Sequence, residues 1–125
     1  MANKTQRIIG WILSVLGAVP FLVSGGAKIA QTPAVAEGMA KGGLNAHQVI
    51  TIGIIEVIFA LLTFVPRVSF LGLVLLTAFA GGAVFAHFSG NIPGMHMPII
   101  FSVLTWIGWS LRHPHVIQEA FGAKS

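Results

Sequence analysis

Two ionisable residues in apolar surroundings are the first candidates for chemistry in this 125-residue chain. Glu56 is the only acid within a long apolar run, and Lys28 the only lysine. A charge at the centre of a bilayer costs about 2.5–3.5 kcal/mol on insertion scales, so an ionisable group there defaults to a functional role. The competing use of Glu56 is a structural carboxyl bonded to a neighbouring helix. Lys28 stands near the end of its run, where a lysine can also snorkel to the headgroups. His87 ends another apolar run and adds a side chain with acid–base capacity. A direct Lys28–Glu56 contact does not follow from position. Counted from Gln48, Glu56 lies about 12 Å deep at ~1.5 Å per residue, whereas Lys28 lies near the surface.

Met95-His96-Met97 combines thioether and imidazole, which suit copper(I). His and Met can also serve as axial ligands of haem iron. Interface packing beside a proline is the commoner use of such residues. His113 and His115 bracket Pro114 near the C-terminal end and receive no role. With no cysteine, thiolate metal sites, disulfides and Cys nucleophiles are excluded. No nucleophile elbow, Walker loop, dinucleotide-binding glycine pattern or HExxH occurs.

The elements that must hold these residues follow from composition. Some 55% of residues are apolar, only 8% are charged, and the mean hydropathy is +0.88. A soluble domain carries about 25% charged residues, so this chain cannot solvate such a surface. The scattered positives form no basic stripe, which excludes nucleic acid as a partner and leaves the lipid bilayer.

A membrane-spanning helix needs about 20 mostly apolar residues. Four runs qualify, from about Ile8 to Ile29, Gln48 to Val65, Val68 to Phe88, and Met97 to Leu111, the last being short. The runs do not alternate as barrel strands would. Pro66-Arg67 breaks the second from the third, and a turn-rich Ser89-Gly90-Asn91-Ile92-Pro93-Gly94 precedes the fourth. Between the first two, Thr32-Pro33 reads as an N-cap with Pro at the first helical position, and Gly42-Gly43 as a stop. The expected fold is all-α: one domain over residues 1–125, a compact bundle of four transmembrane helices, and a short interfacial helix between the first two spans. The first span reads as an uncleaved helix. Its run is long for a signal peptide, and Lys28 separates it from the small residues Ala34-Val35-Ala36. Lys4, Arg7, Arg67, Arg112 and Lys124 fall on one side, Lys28 and Lys41 on the other, so both termini are expected in the cytoplasm. Trp11, Trp106 and Trp109 are then expected in an interfacial belt.

Small residues let helices approach closely in lipid. Gly10, Ser14, Gly17, Phe21, Ser24 and Lys28 make one helical stripe, and Gly53, Glu56, Ala60 and Thr63 a second. Ala78, Gly82 and Ala86 make a third, and Ser102, Thr105 and Gly108 a fourth. Each stripe is expected to face inward.

Several short segments carry a family resemblance. Ser24-Gly25-Gly26-Ala27-Lys28 closes the first span, and Lys41-Gly42-Gly43-Leu44 ends the amphipathic stretch. Ile54-Ile55-Glu56 lies in the second span, and Gly81-Gly82-Ala83-Val84-Phe85-Ala86-His87 ends the third. In this order they resemble the DoxX-like family of small four-helix membrane proteins, over most of the chain. The resemblance implies a bacterial-type inner membrane and a redox-associated, quinone-facing accessory subunit rather than a stand-alone enzyme. Its polar pocket would open to the outer side and be lined by Lys28, Glu56 and His87, with His87 or Lys28 bonding a quinone oxygen and Glu56 relaying a proton. The resemblance says nothing about Met95-His96-Met97, so haem and copper rest on those residues alone. A homo-oligomer or a larger membrane complex is implied as partner. Two rival readings share the outline. One is a small proton-coupled transporter acting as a dimer, although small exporters of that kind hold their essential Glu in the first helix. The other is a structural or assembly subunit of a larger membrane complex.

Overall fold

The computed structural model describes residues 3–90 and 92–122. Lys124 and Asn91 lie outside the described residues. Six helices follow in order: α1 (Lys4–Ala30), α2 (Pro33–Lys41), α3 (Ala46–Leu62), α4 (Ser69–Ser89), α5 (His96–Arg112) and α6 (Pro114–Ala120). No strand is present among the described residues.

The helix ends have local causes. Asn3 opens α1 and Asn45 opens α3, each in a reciprocal capping box with the glutamine three residues on. Gln31 closes α1 in the left-handed region at φ 55°, its side chain donating to the Lys28 carbonyl. Pro33 occupies the first turn of α2, after Thr32 at the N-cap. Gly42 ends α2, and Gly43 at φ 85° makes the reversal into α3.

The four long helices form a closed ring in which α1 packs on α3 and α5, and α4 packs on the same two. Neighbours run antiparallel, as two seams show. Gly10 and Gly17 of α1 lie against Gly108 and Thr105 of α5, and Gly25 of α1 lies against Gly53 of α3. Phe21, Ala60, Leu76 and Ala80 meet at the centre of the ring. Outward, every long helix presents large apolar side chains, among them Leu16 and Val23 of α1, Ile58 of α3, Leu71 of α4 and Val103 of α5. A surface more apolar than its seams is the arrangement that lipid as a solvent selects.

Two helices, α1 and α4, are long and apolar enough to cross a membrane. α2 and α3 together would pass as one broken span, bent by 109°. α3 and α5 have 17 residues each.

The expected inward stripes hold on α1, α3 and α5. On α4 the expectation fails. Ala78, Gly82 and Ala86 are exposed, and the buried face is Ser69, Gly72, Leu73, Leu76 and Ala80. The ring needs bulk at its centre, which Leu73 and Leu76 supply, and only Gly72 meets a backbone closely, at Leu62 and Thr63. No residue from 81 to 89 is buried, so the last two turns of α4 stand clear of the core. Trp109 also departs from the expected belt. It is 3% exposed and donates to Ser69 Oγ at 3.0 Å, because the first turn of α4 covers it. Trp11 remains partly exposed beneath the Arg112 guanidinium.

The α1–α3 seam makes a testable distinction between two glycines. A Cβ on Gly53 would come within 2.7 Å of the Gly25 carbonyl oxygen, whereas one on Gly26 meets nothing within 4 Å. Gly53→Ala is expected to cost about 1–3 kcal/mol by overpacking. Gly26→Ala should instead gain up to ~1 kcal/mol from helix propensity. Thermal unfolding in detergent reads both.

Candidate functional site

Lys28 and Glu56 are brought together by the α1–α3 seam. Gly25 and Gly53 remove the side chains that would hold the helices apart, with Lys28 one turn beyond Gly25 and Glu56 one turn beyond Gly53, in opposite directions along the pair. Helical side chains lean toward the N-terminus of their own helix. In an antiparallel pair Lys28 therefore leans inward along α1 and Glu56 leans toward it along α3. That closes the depth gap expected from residue counting. Lys28 Nζ lies 2.7 Å from Glu56 Oε1, with the two residues 7% and 2% exposed. Lys28 does not snorkel outward: α2 and its flanking turns cover that end of the bundle.

Ser24 completes a small ring of hydrogen bonds. Lys28 Nζ donates to Ser24 Oγ at 2.7 Å, and Ser24 Oγ donates to Glu56 Oε1 at 3.4 Å. An ammonium has three N–H donors, and these contacts use two of them. In the sequence Ser24 belongs to the small-residue stripe of α1 and to the segment that closes the first span. Its spacing of four from Lys28, one helical turn, is the signal that marks it as a partner.

Lys28 and Ser24 border a cavity of about 490 Å³. Ser24 and Lys28 of α1 and Ile52 of α3 line one side. Phe79, Gly82, Ala83, Ala86 and His87 of α4 line another. α2 roofs it with Ala34, Val35, Gly38 and Met39. Leu44 and Ile92 lie at the C-terminal end of that roof, the Ile92 N–H donating to the His87 carbonyl at 2.9 Å. The splay of the last turns of α4 from the core creates this space. The walls are almost wholly apolar, and Lys28, Ser24 and His87 are the polar side chains among the lining residues.

His87 lies across the cavity from the pair. Its Nδ1 is 2.7 Å from the Ala83 carbonyl oxygen. A carbonyl only accepts, so Nδ1 carries the proton in that bond and neutral His87 keeps Nε2 as an acceptor. Of the three expected pocket residues, Lys28 and His87 line the cavity. Glu56 sits behind Lys28 and Ser24 and reaches the cavity through them. Met95, His96 and Met97 open α5 and are all exposed. No group of three or more His, Asp or Glu side chains gathers among the described residues.

The DoxX-like family model matches residues 12–108, which include the whole α1–α3 seam, the cavity and both ends of the ion pair. The chain belongs to the DoxX-like family. It has no match among curated proteins or solved structures.

Breaking a buried pair leaves one charge unbalanced, which costs about 3–5 kcal/mol, whereas replacing both charges by apolar groups of similar volume is often near neutral. Lys28→Met and Glu56→Leu are each expected to lower the melting temperature strongly. The double variant should recover most of the loss, a coupling that a double-mutant cycle in detergent measures.

Proposed function

We propose that this DoxX-like chain is a single four-span membrane domain whose cavity holds the ring of a quinone. It would act as a redox-associated accessory subunit of a larger complex in a bacterial-type inner membrane. The observation that carries this reading is Lys28, held in a buried ion pair with one N–H donor unspent beside an apolar cavity. A cavity of about 300–1,000 Å³, lined by apolar side chains with a few placed polar groups, is what a small-molecule ligand requires.

The polar groups suit a ring with oxygens on opposite sides. Lys28 can donate to a carbonyl oxygen, and His87 Nε2 can accept from the hydroxyl of the reduced form. Phe79, Ile52 and Met39 supply flat and flexible apolar contact for the ring itself. The quinone would bring two-electron chemistry. The protein's part is to bind and orient the ring and to keep water away, with Glu56 balancing the charge of Lys28.

Four spans are supported by the outward faces of α3 and α5, which are as apolar as those of α1 and α4. Seventeen residues of helix rise about 25 Å, and with their caps and some local thinning they bridge a ~30 Å hydrocarbon core. Lys4, Arg7, Arg67 and Arg112 gather at the end of the bundle away from the cavity. Lys28 and Lys41 lie at the cavity end, where Glu56 and Glu37 offset them. This asymmetry supports both termini in the cytoplasm and a cavity in the outer half of the membrane.

Two experiments test the reading. With no native cysteine, Lys41→Cys should react with an impermeant maleimide on intact spheroplasts, while Arg67→Cys should not. The opposite pattern would overturn the orientation. Decylubiquinone should bind the purified protein in nanodiscs. His87→Ala and the folded double variant Lys28→Met/Glu56→Leu should each weaken it about tenfold or more, the worth of a ~1.4 kcal/mol hydrogen bond. Unchanged affinity in both variants would sink the quinone reading.

A further inference from the structure

The cavity has a mouth, and its place in the fold decides what kind of ligand can use it. Three lining residues are exposed to the outside: Ala34 of α2, and Gly82 and Ala86 of α4. α2 packs on α1 and α3 but not on α4, so the side of the cavity between α2 and α4 is not closed by helix contact. Nothing lies within 4 Å of a Cβ built on Gly81 or Gly82, and the gap is open at that level. Ile92, between Gly42 and Gly90 at the ends of α2 and α4, bounds the gap at its upper end.

Gly82 stands seven residues before the last residue of α4, about 10 Å down the helix axis at ~1.5 Å per residue. α4 is one of the two helices with the length and apolarity to cross a membrane. Phe85 and Phe88, on the turns above Gly82, are 70% and 69% exposed, and with Gly81, Gly82 and Ala86 they leave an apolar surface of the kind that marks a membrane or partner contact. A mouth at that depth on an apolar helix, flanked by such residues, is where an opening toward lipid would lie.

We propose that the cavity opens sideways into the bilayer between α2 and α4, and that its ligand is lipid-borne. The polar head sits at Lys28, and an apolar tail leaves past Gly82 and Ala86. The missing side chain of Gly82 then has a role that packing does not give it, since it keeps the path of the tail clear. The tail requirement rests on the quinone-ring reading above, whereas the sideways opening stands on the fold alone.

The test uses decylubiquinone and the same ring without its tail, on the full chain in nanodiscs, with affinities referred to the concentration in the membrane. The tailed probe should bind at least about tenfold more tightly. Gly82→Trp, at a position where a Cβ meets nothing within 4 Å, should remove that advantage by weakening the tailed probe at least about tenfold more than the tail-free ring. Equal affinity for the two probes, or equal weakening of both by Gly82→Trp, would overturn the tail path. Loss of both probes in Lys28→Met/Glu56→Leu supports the ring site, and loss of neither sinks that reading by itself. A nitroxide on Gly82→Cys tests the opening with no ligand. Relaxation chiefly by oxygen supports a lipid-facing mouth, and relaxation chiefly by a water-soluble nickel chelate contradicts it.

Discussion

The contact between Gly25 and Gly53 is the constraint on which the rest of the molecule depends. It lets α1 and α3 approach until backbone meets backbone, and at that separation a lysine and a glutamate one turn away must share a hydrogen bond. Either charge alone would be costly at that depth. Together, with Ser24 bridging them, they form a small neutral polar unit that the apolar bundle can hold. Directionality matters as much as proximity. Because the helices are antiparallel, both side chains lean toward the shared midpoint.

The rest of the ring is built around that seam with unequal tightness. α1 is clasped by α3 and α5 through glycine, serine and threonine. α4 is held firmly only along its first half, through Gly72, Leu73 and Leu76 and through the bonds from Trp109 to Ser69 and Trp106 to Thr77. Its second half diverges, and the divergence is the cavity. The short helix α2 then acts as a roof. Packing at one end and an unfilled space at the other are therefore two consequences of one distribution of small and large residues.

Much of this was legible in the sequence. The four long helices and α2 fall where hydropathy, Pro33 and the Gly42-Gly43 stop put them, and the stripes on α1 and α3 mark the seam that matters. The family was legible too, from short segments around Lys28, Glu56 and His87. What could not be read was three-dimensional. Counting residues placed Lys28 and Glu56 at different depths, since a count ignores the lean of side chains. The Ala78, Gly82 and Ala86 stripe has the same period as a packing seam, and period alone does not say whether a helix faces it. Trp109 looked like an interfacial anchor because burial depends on the residues that α4 brings over it. Pro114 opens α6, a helix too short and too polar to stand out in the hydropathy.

The central claim is that Lys28 turns its remaining N–H into the cavity to hold a ligand oxygen. A solid-state NMR distance between a ¹⁵N-labelled Lys28 ammonium and a labelled carbonyl of decylubiquinone, in lipid, tests it most directly. The account predicts a contact within hydrogen-bond range, about 2.7–3.2 Å, that disappears in Lys28→Met/Glu56→Leu. A bound ring whose carbonyls show no coupling to that nitrogen would contradict it.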